Sequence, residues 1–173
     1  MEEIRIDANE RLLVLFTTAI DVADVHYLDY PSMPGYVGCN GTDCLLCKIG
    51  RKLETRDCLP AYDLLAKKVG VVPVTTNMRP GALKPQLIPH MDRVAKGERY
   101  VLAVRKLDKY RFGVESLALQ ENADDGAQQM AVYQKEYEAG AISPASIYSQ
   151  VTNEVIASLP EVKTMMAARG ITL

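Results

Sequence analysis

The sequence predicts an α+β fold, and three observations carry that prediction. Short runs of alternating and β-branched apolar residues extend to about residue 119. From Ala127 onward the apolar residues recur at helical spacing instead. No strand–helix–strand alternation links the two parts, so the strands and helices are segregated along the chain. At 173 residues and 48% hydrophobic content, the chain has material for one compact domain or a domain with an appendage.

Ile4 and Ile6, a turn at Asp7 to Asn9, and Leu12 to Phe16 read as strand material. Val22 to Leu28 alternates well enough for a second strand, with His26 near its end. Residues 29–50 hold Pro31, Pro34, Gly35, Gly38, Gly41 and Gly50 and read as a loop. Pro60, Tyr62, Leu64 and Leu65 suit a short helix over 60–68, with Pro60 in its first turn. Val69 to Met78 reads as an edge strand because of Pro73, followed by a turn at Arg79-Pro80-Gly81. Leu83 to Met91 reads as a broken or edge strand because Pro85 and Pro89 lack backbone donors. His90 then falls in an exposed loop.

Arg99 to Leu107 is a strand, with Tyr100, Leu102 and Val104 on one face. Tyr110 to Leu119 is another, and Asn122 to Gly126 an acidic turn. A helix runs from Ala127 to Gly140, with Met130, Tyr133 and Tyr137 in step. Ser143-Pro144 opens a second helix to about Leu159, and Pro160 a third that ends before Gly170.

The net charge is −2, but it is unevenly spread. Residues 1–47 carry −6, residues 48–111 carry +9 and residues 112–173 carry −5. A basic middle between acidic flanks suggests a polyanion-binding surface. The apolar run Leu12 to Phe16 is too short for a membrane span, and Met1-Glu2-Glu3 is unlike a signal peptide. A cytoplasmic protein without membrane partners is therefore expected, in a compartment where thiols stay reduced or bind metal.

The sharpest motif is His26-x12-Cys39-x4-Cys44-x2-Cys47. Cys-x2-Cys presents two thiolates to one ion from a tight turn, and two more distant ligands complete a zinc tetrahedron. Cys58 is an alternative fourth ligand. His26 is favoured, because Cys58 precedes Pro60 at the start of the expected helix and suits a small buried apolar position. Four protein ligands imply a structural zinc. No enzyme is expected. Tyr27 and Leu28 follow His26 and Asp43 precedes Cys44, so the zinc-deaminase pattern is absent. There is also no phosphate-binding Gly-rich loop, His-Glu-x-x-His or Gly-x-Ser-x-Gly.

In the order of His26, Cys39 and Cys44-Leu45-Leu46-Cys47-Lys48, followed by a basic segment, residues 10–119 resemble the zinc-containing single-stranded DNA-binding proteins of tailed phages. These are the helix-destabilising proteins of the T-even type. The resemblance implies an OB-like β-barrel over residues 1–119, with an inserted zinc-binding loop subdomain at about 26–58 and a C-terminal helical segment over 120–173. It implies single-stranded DNA binding in replication, recombination or repair, a bacterial host cytoplasm, and replication or recombination proteins as partners. The expected DNA contacts are Arg79, Lys84, Arg99, Tyr100, Arg105, Lys106, Lys109, Tyr110, Arg111 and Phe112, with cations on phosphates and rings stacked on bases. The alternative is a zinc-stabilised protein–protein interaction module without DNA binding.

Overall fold

The computed structural model describes residues 2–16, 20–117 and 125–172. The chain divides into two compact units, each made of two chain segments. Unit 1 comprises Met1–Val22 and Asp57–Ile147, and unit 2 comprises Ala23–Arg56 and Tyr148–Leu173.

Unit 1 is built on strands β1 (Arg11–Leu15), the second half of β4 (Leu53–Asp63), β5 (Lys68–Thr75), β6 (Val101–Lys106) and β7 (Phe112–Leu117). β1 runs antiparallel between β4 and β6, with Leu13 opposite Asp63 on one side and Leu102 on the other. β7 pairs antiparallel with β6. Side chains alternate across a strand, so Leu13 and Leu15 face one way and Val14 and Phe16 the other. The first pair joins Leu59, Ala61, Leu102 and Val104 beneath Leu83 and Leu87 of helix α2 (Leu83–Ala95). The second pair joins Tyr62 and Val101 beneath Tyr133 of helix α3 (Asp125–Glu138). Unit 1 is therefore three layers, helix on sheet on helix. That is why Val101 to Val104 are all buried, where the alternation alone suggested one covered face.

Unit 2 holds the rest of β2 (Asp21–Tyr30), β3 (Met33–Gly38), the start of β4 and three helices. The helices are α1 (Leu45–Lys48), α4 (Asn153–Ser158) and α5 (Pro160–Arg169). β2 and β3 form an antiparallel hairpin, with Tyr27 opposite Tyr36. Its core gathers Leu28, Val37, Leu45, Leu46 and Ile49 with Ile156, Leu159 and Val162 from the C-terminal helices. Thr152 caps α4 by accepting a hydrogen bond from the Val155 amide, and Gly170 ends α5 at φ 63°.

The expected OB-like barrel is absent. Strand order is β3-β2-β4-β1-β6-β7 with β5 also on β4, and the end strands β3 and β7 do not pair. A sheet whose two faces are both covered by helices gains nothing by closing on itself. Five local expectations also change. Residues 60–63 continue β4, because Cys58 to Asp63 are buried without a break and Ala61 to Asp63 pair with β1. Leu83 to Met91 is helical. Pro85 lies in the first turn, where no intrahelical donor is needed, and Leu83, Leu87, Met91 and Val94 form one apolar stripe that outweighs the missing bond at Pro89. His90 consequently sits half-buried on α2 and not in a loop. The segment 29–50 contains β3 and α1, and the helix expected over 143–159 is a 3-10 turn at Pro144–Ile147 followed by α4. Most of the acidic turn at 122–126 lies outside the described residues.

Asp63 is 2% exposed at the end of β4. Its Oδ1 accepts from the amides of Leu65 and Ala66 at 2.9 and 3.1 Å, and its Oδ2 from Arg11 Nη1 at 3.3 Å. The carboxylate thereby shapes the turn into β5. Asp63→Ala is expected to cost about 2–3 kcal/mol in urea unfolding, and Asp63→Asn, which keeps one acceptor oxygen, less than half of that. Equal losses for the two substitutions would show that the turn bonds contribute little.

Candidate metal centre

His26 Nε2 and the sulfurs of Cys39, Cys44 and Cys47 all lie within 4.8 Å of one another. Each is placed by a different local device, all within unit 2. His26 projects from β2 beside the buried Val25 and is itself 0% exposed. Cys39 follows β3 and is tied back to β2 by its amide, which donates to the Asp24 carbonyl at 2.8 Å. Cys44 caps α1, its amide bonded to the Gly41 carbonyl at 3.2 Å. Cys47 lies one turn on, and its carbonyl accepts from Gly50, whose φ of 77° suits glycine.

Three of the six distances within this group match the edges of a zinc tetrahedron. Zinc bonds to sulfur and nitrogen imply edges of about 3.8 Å between sulfurs and about 3.5 Å between nitrogen and sulfur. The chain places Cys39 and Cys47 sulfurs 3.7 Å apart, and sets Cys44 and Cys47 sulfurs 3.5 and 3.4 Å from His26 Nε2. His26 Nδ1 lies 3.0 Å from the Lys52 carbonyl. Donation of Nδ1–H there leaves the Nε2 lone pair free for the ion and fixes the ring plane. Burial pushes the Cys47 thiol up to about 12 and also raises Cys39. Burial acts the same way on Cys44, but bonds from the Cys47, Asn40 and Leu46 backbone outweigh it and bring that thiol down. Three sulfurs so close together ionise jointly only beside a cation, which is what a metal supplies.

One residue that holds the ligand loop had no signal in the sequence. Asn153, at the start of α4, accepts from the Leu45 amide at 3.0 Å and from Asn40 Nδ2 at 3.2 Å, and donates to the Asp43 carbonyl at 2.9 Å. Asn40 also donates to the Val151 carbonyl at 2.8 Å. A side chain more than a hundred residues away thus satisfies backbone groups of the ligand loop, and no local pattern marks it. Cys58 lies on β4 in unit 1, fully buried, and is not part of the His26/Cys39/Cys44/Cys47 cluster. His26→Ala is expected to bring zinc content well below one per chain, while Cys58→Ala leaves it stoichiometric by atomic emission. Zinc retained in His26→Ala and lost in Cys58→Ala would reverse the ligand assignment.

Two of the three rings expected to contact DNA are not exposed as stacking surfaces. Tyr100 is 7% exposed; its hydroxyl donates to the His90 carbonyl at 3.0 Å and the Arg93 guanidinium lies over its ring at 4.3 Å. That ring is enclosed by protein and has no face for a base. Burial raises the Tyr100 hydroxyl pKa, and burial followed by Arg93 lowers that of His90. Phe112 packs on the core beneath α2. Lys84 pairs with Asp57 at 2.6 Å and Arg111 with Asp108. Arg79, Arg99, Arg105, Lys109 and Tyr110 are exposed and Lys106 half-exposed. Of the three rings, only Tyr110 is free to stack, and a stacking platform needs several.

No protein-family model, curated protein or solved structure matches the chain. The resemblance to the phage single-stranded DNA-binding proteins is therefore not upheld. The sheet is open, both faces of its unit 1 part are covered, and no similarity supports a phage origin or a DNA-binding role. No helix among the described residues is long and apolar enough to cross a membrane.

Proposed function

We propose that the chain is a zinc-stabilised protein-interaction module, non-catalytic and resident in a reducing compartment such as the cytoplasm. The observation that carries this reading is the His26, Cys39, Cys44 and Cys47 cluster, with its ligand atoms within 4.8 Å. Bound zinc would be held by these four side chains and would supply a cross-link, since a complete protein ligand set leaves no open position for a substrate. Unit 2 supports the same view. Its core is small and its two segments are more than ninety residues apart, so a metal tie adds what the apolar contacts lack. The four cysteines are free thiols, in keeping with a reducing environment.

The test combines metal analysis with direct binding. Purified protein should carry one zinc per chain, and cobalt in its place should give thiolate charge-transfer absorption. A partner captured by the wild-type chain, and then rebound with purified components, should be lost with Cys47→Ser. Saturable binding of oligonucleotides without a protein partner, or a zinc-dependent turnover, would overturn the proposal.

A further inference from the structure

One end of unit 1 carries several exposed cations close together. Two turns meet there. The Phe112 amide donates to the Gly81 carbonyl at 2.8 Å, and a side chain at Gly81 would touch the stem of Arg111 at 3.1 Å. The turn before Gly81 contributes Met78 and Arg79, and the β6–β7 turn contributes Leu107, Lys109, Tyr110 and Arg111. Arg105 and Leu107 both reach over Gly113, so they share a face. Lys106 lies alongside, its amide bonded to the Asp7 carbonyl. Arg79, Arg105, Lys106, Lys109 and Arg111 thus outnumber the nearby carboxylates of Asp7, Asp108 and Glu115, and Asp108 is already paired with Arg111.

Three large apolar side chains on these turns stand exposed: Met78 at 57%, Leu107 at 53% and Tyr110 at 67%. Long cations solvating a strand would not explain them. Exposed apolar groups interleaved with one sign of charge mark a docking surface for the opposite charge. Met78 and Leu107 give bases nothing to stack on, so the patch does not suit a nucleic acid. The apolar groups are separate and sit among cations, too dispersed to insert into a bilayer. They suit a chain that alternates carboxylates with apolar side chains.

We infer that this tip, formed by Met78, Arg79, Arg105, Leu107, Lys109, Tyr110 and Arg111, docks an acidic peptide segment bearing interspersed apolar residues. The inference rests on the reading of the chain as an interaction module and names the kind of partner. Charge would steer the peptide to the tip and set its salt dependence, and the three apolar side chains would hold it.

The experiment titrates the full-length, zinc-loaded chain into a labelled peptide of alternating Glu and Leu or Phe, read by fluorescence anisotropy. Binding is expected to weaken by about tenfold between low and moderate salt, because exposed charges are screened. Lys109→Glu with Arg111→Glu should weaken it by about tenfold or more, and Leu107→Ser with Tyr110→Ser by several-fold, while Arg93→Glu on α2 changes nothing. A peptide of alternating Lys and Leu, an oligothymidylate and anionic phospholipid vesicles are the comparison probes. Equal or tighter binding of any of them, or indifference to both tip variants, overturns the inference. Zinc content and the thermal transition are read on the same samples. Folded, zinc-loaded protein that ignores the acidic peptide overturns only the tip assignment. A chain that keeps its fold and partner without zinc overturns the module reading instead.

Discussion

Cys44→Ser is expected to abolish stoichiometric zinc binding and unfold unit 2. Cys44, like His26, is 0% exposed, and it belongs to the apolar core that contains Leu28, Leu45, Leu46 and Ile156. The hydroxyl of serine is a poor ligand for zinc beside thiolates and would be buried among apolar groups. Structural zinc contributes apparent binding free energy on the order of 10 kcal/mol, which in such small units is folding free energy. Chelation of the wild-type chain should therefore reproduce the effect of the substitution. The measurement is thermal unfolding with and without chelator. The expected record is loss of the unit 2 transition in both cases, while the unit 1 core, which uses none of the ligands, keeps its own. Amide exchange locates the loss: His26, Val37 and Ile156 should exchange freely, and Leu13 and Leu102 should stay protected. An unchanged transition after zinc removal would show that unit 2 stands on its apolar contacts.

Gly126→Ala is expected to destabilise unit 1 by about 1–3 kcal/mol through overpacking. A methyl group there would lie 2.6 Å from Tyr62 Cδ1, and the Tyr62 ring is 1% exposed, enclosed with Val14, Phe16, Val101 and Tyr133. The ring cannot step aside without opening the layer beneath α3. Tyr62→Ala, which empties that space, should cost about 3–5 kcal/mol. The pair is a test of the contact itself. Tyr62→Leu shortens the side chain, and Gly126→Ala added to it should cost less than Gly126→Ala alone. Denaturant unfolding of the four chains yields the coupling; strictly additive losses would mean that residue 126 and the ring do not meet.

The turn at Arg79-Pro80-Gly81, the strand through Val101–Lys106 and the helices at Asp125–Glu138 and Pro160–Arg169 were legible because they depend on neighbours along the chain. So was the metal centre. His26, Cys39, Cys44 and Cys47 lie within 22 residues, and one hairpin and one tight turn suffice to gather them. Leu83 to Ala95 was misread because two prolines were given more weight than the apolar stripe, which becomes decisive only with a sheet to cover. The barrel expectation failed for a related reason. Tyr100 and Phe112 alternate with cations in the sequence as surface rings would, yet α2 covers them.

The sequence by itself determined which residues make up the His/Cys cluster, since that follows from spacing and local backbone preference, whereas the segregation of strands and helices it suggested is broken by α1 and by α2 between β5 and β6. Tertiary structure alone decided that the sheet stays open, that its unit 1 part is covered on both faces, and that Asn153 from the far end of the chain braces the ligand loop. Those outcomes depend on which apolar faces find each other across long separations. Burial is a property of pairs of surfaces, and a sequence displays only one member of each pair at a time.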